Sequence, residues 1–113
     1  MNIRRGFLLV AFLAGMVSPM FAEKIAAYLL QMSTSSNGDW VVTNTYNQSV
    51  NFLLTTQDGD KYWGVAAPGG SNETTINSGK YYHIYPCSFP GYAVDSDTGR
   101  APTFDTQNWD CSK

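Results

Sequence analysis

Residues 40–87 carry short runs in which apolar and polar positions alternate, broken repeatedly by turn-forming residues. Ser49-Val50-Asn51-Phe52-Leu53-Leu54-Thr55 sets Val50, Phe52 and Leu54 on one face, the two-residue period of a strand with one covered side. Asp58-Gly59 supplies positive-φ positions for a tight hairpin. Lys61-Tyr62-Trp63-Gly64-Val65 returns with Trp63 and Val65 on the matching face. Pro68-Gly69-Gly70-Ser71 then breaks the pattern, Glu73-Thr74-Thr75-Ile76 resumes it, and Asn77-Ser78-Gly79 turns into Lys80-Tyr81-Tyr82-His83-Ile84-Tyr85.

The flanks are less regular. Ile25, Tyr28, Leu29 and Met32 fall at helical spacing, but no capping residue opens that stretch, and Asn37-Gly38 is a strong hairpin cue. A first strand over residues 26–33, paired through that turn with residues 40–45, is the preferred reading over a helix for residues 23–33. After Pro86 the alternation fades. Pro90-Gly91, Asp97-Thr98-Gly99 and Pro102 leave room for two short strands, near residues 92–94 and 103–105. Six or seven short antiparallel strands with no helix predict an all-β fold, a small antiparallel β-sandwich or barrel.

The N-terminus changes the compartment. Arg4 and Arg5 precede the apolar run Gly6-Phe7-Leu8-Leu9-Val10-Ala11-Phe12-Leu13-Ala14-Gly15-Met16-Val17, too short for a stable bilayer span, and Ala22 suits the position before a cut. Residues 1–22 are read as a signal peptide and residues 23–113 as one domain, secreted, or periplasmic if the source is bacterial, with no membrane association after cleavage. Cleavage removes two of the seven basic residues and none of the nine acidic ones, leaving a formal charge of −4. No basic stripe is present to neutralise phosphates, so nucleic acid is not an expected partner. Cys87 and Cys111 both lie in the exported part, where two thiols most simply pair. A monomer is expected.

Candidate chemistry is sparse. His83 is the sole histidine, with no serine on a nucleophile elbow to serve, and it reads as a solvent-face residue. One histidine and two paired cysteines offer no zinc site, so no metal or cofactor is expected. Asp95-Ser96-Asp97-Thr98-Gly99 opens like a calcium loop, yet Arg100 stands at the usual glycine position and Thr106 at that of the bidentate glutamate. A solvated turn is the preferred reading, with weak calcium binding at Asp95 and Asp97 as the alternative. A hydrolase using Asp97 or His83 ranks last, and the expectation is that the protein is not an enzyme. Asn47-Gln48-Ser49 and Asn72-Glu73-Thr74 are glycosylation acceptors in a eukaryotic secretory route, both at expected turns.

Aromatic content points towards recognition. Of three Trp, seven Tyr and six Phe, only Phe7, Phe12 and Phe21 lie in the leader. With Trp63, Tyr82 and Phe52 facing inward, Tyr62, Tyr81 and Tyr85 face outward, where tyrosine gives rigid, amphipathic contact area. Trp109 joins them as a stacking candidate. Val65-Ala66-Ala67-Pro68-Gly69-Gly70, Ile76, Gly79, Tyr82-His83-Ile84, Cys87 and Cys111 together resemble small secreted fungal effectors of the MAX and ToxB-like type. That resemblance implies a compact, disulfide-held β-sandwich without catalytic residues, directed at a host protein. Ser78-Gly79-Lys80-Tyr81-Tyr82 is also similar to the Ser-Gly-x-x-Tyr of periplasmic lysozyme inhibitors. The expected function is a secreted, non-enzymatic interaction protein that binds a protein partner through a strand edge or tyrosine-bearing face. The alternative is an extracellular carbohydrate-binding module that stacks a glycan on Tyr62, Tyr81, Tyr85 or Trp109.

Overall fold

The computed structural model describes residues 22–112, so the signal-peptide reading of the leader lies almost wholly outside the described residues. Among the described residues a single 3-10 turn, Ala27–Leu29, precedes eight strands: β1 Leu30–Thr34, β2 Asp39–Asn44, β3 Val50–Thr56, β4 Lys61–Ala66, β5 Ser71–Asn77, β6 Tyr82–Ser88, β7 Tyr92–Asp95 and β8 Trp109–Ser112. They form antiparallel sheets in the orders β1-β2-β5, β4-β3-β6 and β7-β8. The two three-stranded sheets make the expected β-sandwich around Val42, Val50, Phe52, Leu54, Ile76 and Ile84. Transfer of that apolar area out of water is the main favourable contribution to folding.

Central strand β3 is buried on both faces. Val50, Phe52 and Leu54 meet the opposite sheet, while Leu53, also fully buried, lies in a second core with Tyr85, Cys87 and Ala93. The strip after β6 forms the cover of that second core. Its strand β7 pairs with β8, placing Ala93 opposite Cys111, and the Cys87–Cys111 disulfide, with Cα atoms 5.8 Å apart, fastens it to β6.

Strand β4 corrects one expectation. Trp63 and Val65 face outward, and Tyr62, Gly64 and Ala66 face the core. A two-residue Asp58-Gly59 turn would have paired Leu54 with Trp63 and Phe52 with Val65. Instead Gln57, Asp58 and Gly59 form the loop between Thr56 and Asp60, closed by Gly59 N–H to Thr56 O and Thr56 N–H to Asp60 O. Only Gly59 takes positive φ, at 96°. The added loop residue shifts the register by one, which turns every β4 side chain over. Gly64 then sits opposite Phe52, and a Cβ there would lie 2.6 Å from Phe52 Cζ. The Phe52 ring occupies the space a larger residue would need.

Two further expectations move. The first strand begins at Leu30, not at residue 26, because Leu30 N–H closes the 3-10 turn on Ala27 O. Residues 23–25 instead run along β6, through Ser88 N–H to Glu23 O and Ile25 N–H to Pro86 O. In the tail, residues 103–105 form no strand. Thr106 N–H closes a turn on Thr103 O, the Tyr85 hydroxyl lies within hydrogen-bond reach of the carbonyls of both Thr103 and Thr106, and Trp109–Ser112 supplies the strand.

Asn44 joins the two layers. It is fully buried, yet its Nδ2 donates to Gln48 O at 2.8 Å and Ala66 O at 3.0 Å, and its Oδ1 accepts from Tyr46 N–H at 2.8 Å. Its backbone also pairs with Gly69 and Gly70. A buried amide with every strong bond made locks the corner where β2 leaves its sheet.

Candidate functional site

The outer face of the β4-β3-β6 sheet is covered unequally. Over β6 lie the tail, Tyr85 and the disulfide. Over β4 none of the described residues packs, so Trp63 and Val65 are 44% and 45% exposed, and Tyr92 on β7 is 43% exposed beside them. These three side chains, with Asn51 and Gly64, line a shallow depression of about 470 Å³. Its lining carries no carboxylate, amine or guanidinium. The indole and phenol rings offer large, stiff, partly apolar contact area, and Asn51 adds one amide to the lining. Such a surface can hold an uncharged group by desolvation and contact.

The expected aromatics divide differently. Tyr81 is 85% exposed, in agreement with expectation. Tyr85 is a correction: it is fully buried, and its hydroxyl reaches Thr103 O at 2.6 Å, Thr106 O at 3.0 Å and His83 Nδ1 at 3.0 Å. Burial, followed by the charges of Asp105 and Asp95, pushes this phenol up to about 12. Tyr62 also turns inward, half-buried, with its ring stacked 6.2 Å from that of Phe52. Trp109 is half-buried, edge-on to Tyr85 at 5.1 Å, and Lys24 Nζ lies 4.5 Å from the centre of its ring. Trp109 and Lys24 together tie the N-terminal segment to the tail. The four residues therefore do not form one surface.

Other groups with chemical potential are accounted for locally. His83 is exposed, and its Nδ1 sits 3.0 Å from Phe104 O and 3.0 Å from the Tyr85 hydroxyl. Neither of these partners is a carboxylate. Asp95 Oδ1 accepts from Asp97 N–H, Asp95 Oδ2 accepts from the Thr106 hydroxyl, and Asp97 Oδ1 accepts from Asn108. This is the expected turn chemistry. Among the described residues no group of three or more His, Cys, Asp or Glu side chains is placed to hold a metal ion.

Lys80 Nζ bridges Asp58 at 3.0 Å and Asp60 at 2.5 Å, pinning the β3-β4 loop beside Tyr81. The Thr56 hydroxyl and Lys80 hold the Asp58 carboxyl below its ordinary value, and the two carboxylates raise Lys80. Asn47 is exposed in the loop before β3, but Asn72 lies within β5, half-buried, rather than in a turn. Among the described residues no helix is long and apolar enough to cross a membrane.

Sequence reasoning missed Trp63 and Tyr92. The signal was Gly64: a glycine mid-strand marks close backbone approach, and placing Gly64 against the core would have turned Trp63 outward. No family model, curated protein or solved structure matches this chain.

Proposed function

We propose that this is an exported, non-enzymatic recognition domain that holds an uncharged, apolar side chain of a protein partner against Trp63, Val65 and Tyr92. One observation carries the reading: a domain that covers the β6 half of its outer sheet face with a disulfide-fastened tail leaves an indole, a valine and a phenol exposed on the other half. Tryptophan and tyrosine dominate the energetics of protein interfaces, and a depression without charge favours an uncharged occupant. In the effector reading suggested by the sequence resemblance, that partner is a host protein. A glycan is the second reading, supported by two aromatic rings and the Asn51 amide in one lining.

The test probes the domain of residues 23–113 on an array of random linear peptides and on a glycan array. Wild type is expected to select peptides with aromatic or aliphatic anchors. Trp63→Ala and Tyr92→Ala are expected to lose them, while Tyr81→Ala keeps them. Glycan capture that depends on Trp63, with no peptide selected, would replace the protein-partner reading by the second one.

A further inference from the structure

The sheet edges are treated differently from one another. β6 contains Pro86 and is partly covered by residues 23–25, with Lys24 bridged to Cys87. The β4 edge opens with an exposed Lys61, the β5 edge carries an exposed Glu73, and β7 and β8 each carry an aspartate. Charge, proline and covering segments are the usual protections of a strand edge. β1, Leu30-Gln31-Met32-Ser33-Thr34, is an edge strand of the β1-β2-β5 sheet that contains no charge or proline, and among the described residues no segment covers it.

Its ladder identifies the free groups. Ser35 N–H reaches Asp39 O, and Thr45 N–H reaches Leu29 O. In antiparallel pairing the groups bonded to a given neighbour alternate along the strand. Odd-numbered residues of β1 therefore face β2, and even-numbered ones face away from the sheet. Leu30 N–H is already spent on Ala27 O. The outward row is then Leu30 O, both groups of Met32 and both groups of Thr34.

We infer that β1 is a self-association edge: two copies pair β1 with β1 antiparallel about a two-fold axis at Met32. Met32 N–H and C=O would exchange bonds with Met32 of the second copy, and Thr34 N–H would reach its Leu30 O, twice by symmetry. This register overlaps all five residues of the strand, and because β1 has no charge, no like charges meet at the axis. A second copy is the favoured occupant because the row of free groups complements itself, and the Met32-centred register is the one that overlaps the whole strand. The product is a dimer with a continuous six-stranded sheet, β5-β2-β1-β1-β2-β5, in which each copy keeps its own β4-β3-β6 sheet and Trp63 face. Symmetric pairing of one patch with itself is the commonest route to a closed dimer. The inference is independent of ligand binding at Trp63, and the variants below leave that face intact.

In this register Gln31 stands directly opposite Ser33 of the second copy, and both are exposed in the single chain. Sedimentation equilibrium of residues 23–113 over a rising concentration series is expected to show the mass doubling. Gln31→Lys with Ser33→Lys sets lysines opposite one another and is expected to abolish the doubling; Gln31→Lys with Ser33→Glu sets opposite charges there and is expected to restore it. Circular dichroism of both variants checks that the single chain still folds. A wild-type mass that stays monomeric, a dimer indifferent to the lysine pair, or loss in both variants alike would each overturn the Met32-centred pairing.

Discussion

Replacing Tyr85 by Phe removes one oxygen from a fully buried site and tests how the tail is held. That oxygen contacts Thr103 O at 2.6 Å, Thr106 O at 3.0 Å and His83 Nδ1 at 3.0 Å. It has one proton to donate; losing that bond and leaving Thr106 O without this donor costs about 1–3 kcal/mol, while Thr103 O keeps its bond from Thr106 N–H. A total near 2 kcal/mol follows. For a domain of this size that lowers the melting temperature by roughly 8–16 °C, readable by calorimetry or urea unfolding at pH 7. The same site sets an alkaline limit. The folded-state pKa of Tyr85 is raised from 10.0 to about 12, so the folded chain holds this proton more tightly than the unfolded one. The stabilisation is full below pH 10 and disappears as pH rises from about 10 to about 12. Tyr85→Phe should lack this component of the alkaline fall. Stability within about 0.5 kcal/mol of wild type, the usual range for surface substitutions, would refute the reasoning.

Three further outcomes follow from the packing. Gly64→Ala places a methyl 2.6 Å from Phe52 Cζ and 2.9 Å from Asn72 Nδ2, so it should destabilise by about 1–3 kcal/mol in denaturant titration. Cys87→Ala with Cys111→Ala frees a chain segment whose ends are 24 residues apart, worth about 3.5 kcal/mol in the chain-entropy account. Limited proteolysis of that variant should cut first after residue 88, in the released tail. Asn44→Ala strands three backbone partners at the β2 corner and should destabilise by roughly 2–4 kcal/mol; an unchanged unfolding midpoint would refute its role as the joint between layers.

The fold class was legible because alternation survives wherever one face of a strand is covered and the other is wet. Val50, Phe52 and Leu54 showed it, and the Cys87–Cys111 pair followed from compartment and count. The orientation of β4 was not legible, because Asp58-Gly59 fits both a two-residue turn and the last two positions of a three-residue loop, and one residue decides which face Trp63 takes. Tyr85 was read as exposed because the alternation of β6 assumes one wet face, whereas the tail covers the second. Nothing local in residues 92–112 announces that cover: its apolar residues are few, and the disulfide holds them in place. Consequently the four aromatics expected to bind became three structural residues and one exposed tyrosine, while Trp63 and Tyr92 came to line the depression.

The account turns on whether ligands are taken at the uncovered half of the outer sheet face. Backbone amide shifts of the 15N-labelled domain, titrated with peptides selected on the wild-type array, measure this directly. The account predicts that the largest shifts fall at Asn51, Trp63, Gly64, Val65 and Tyr92, with those of Tyr81 and Lys80 unmoved. Shifts centred on Tyr81 and Lys80, or on the Asp95–Asp97 turn, would contradict it.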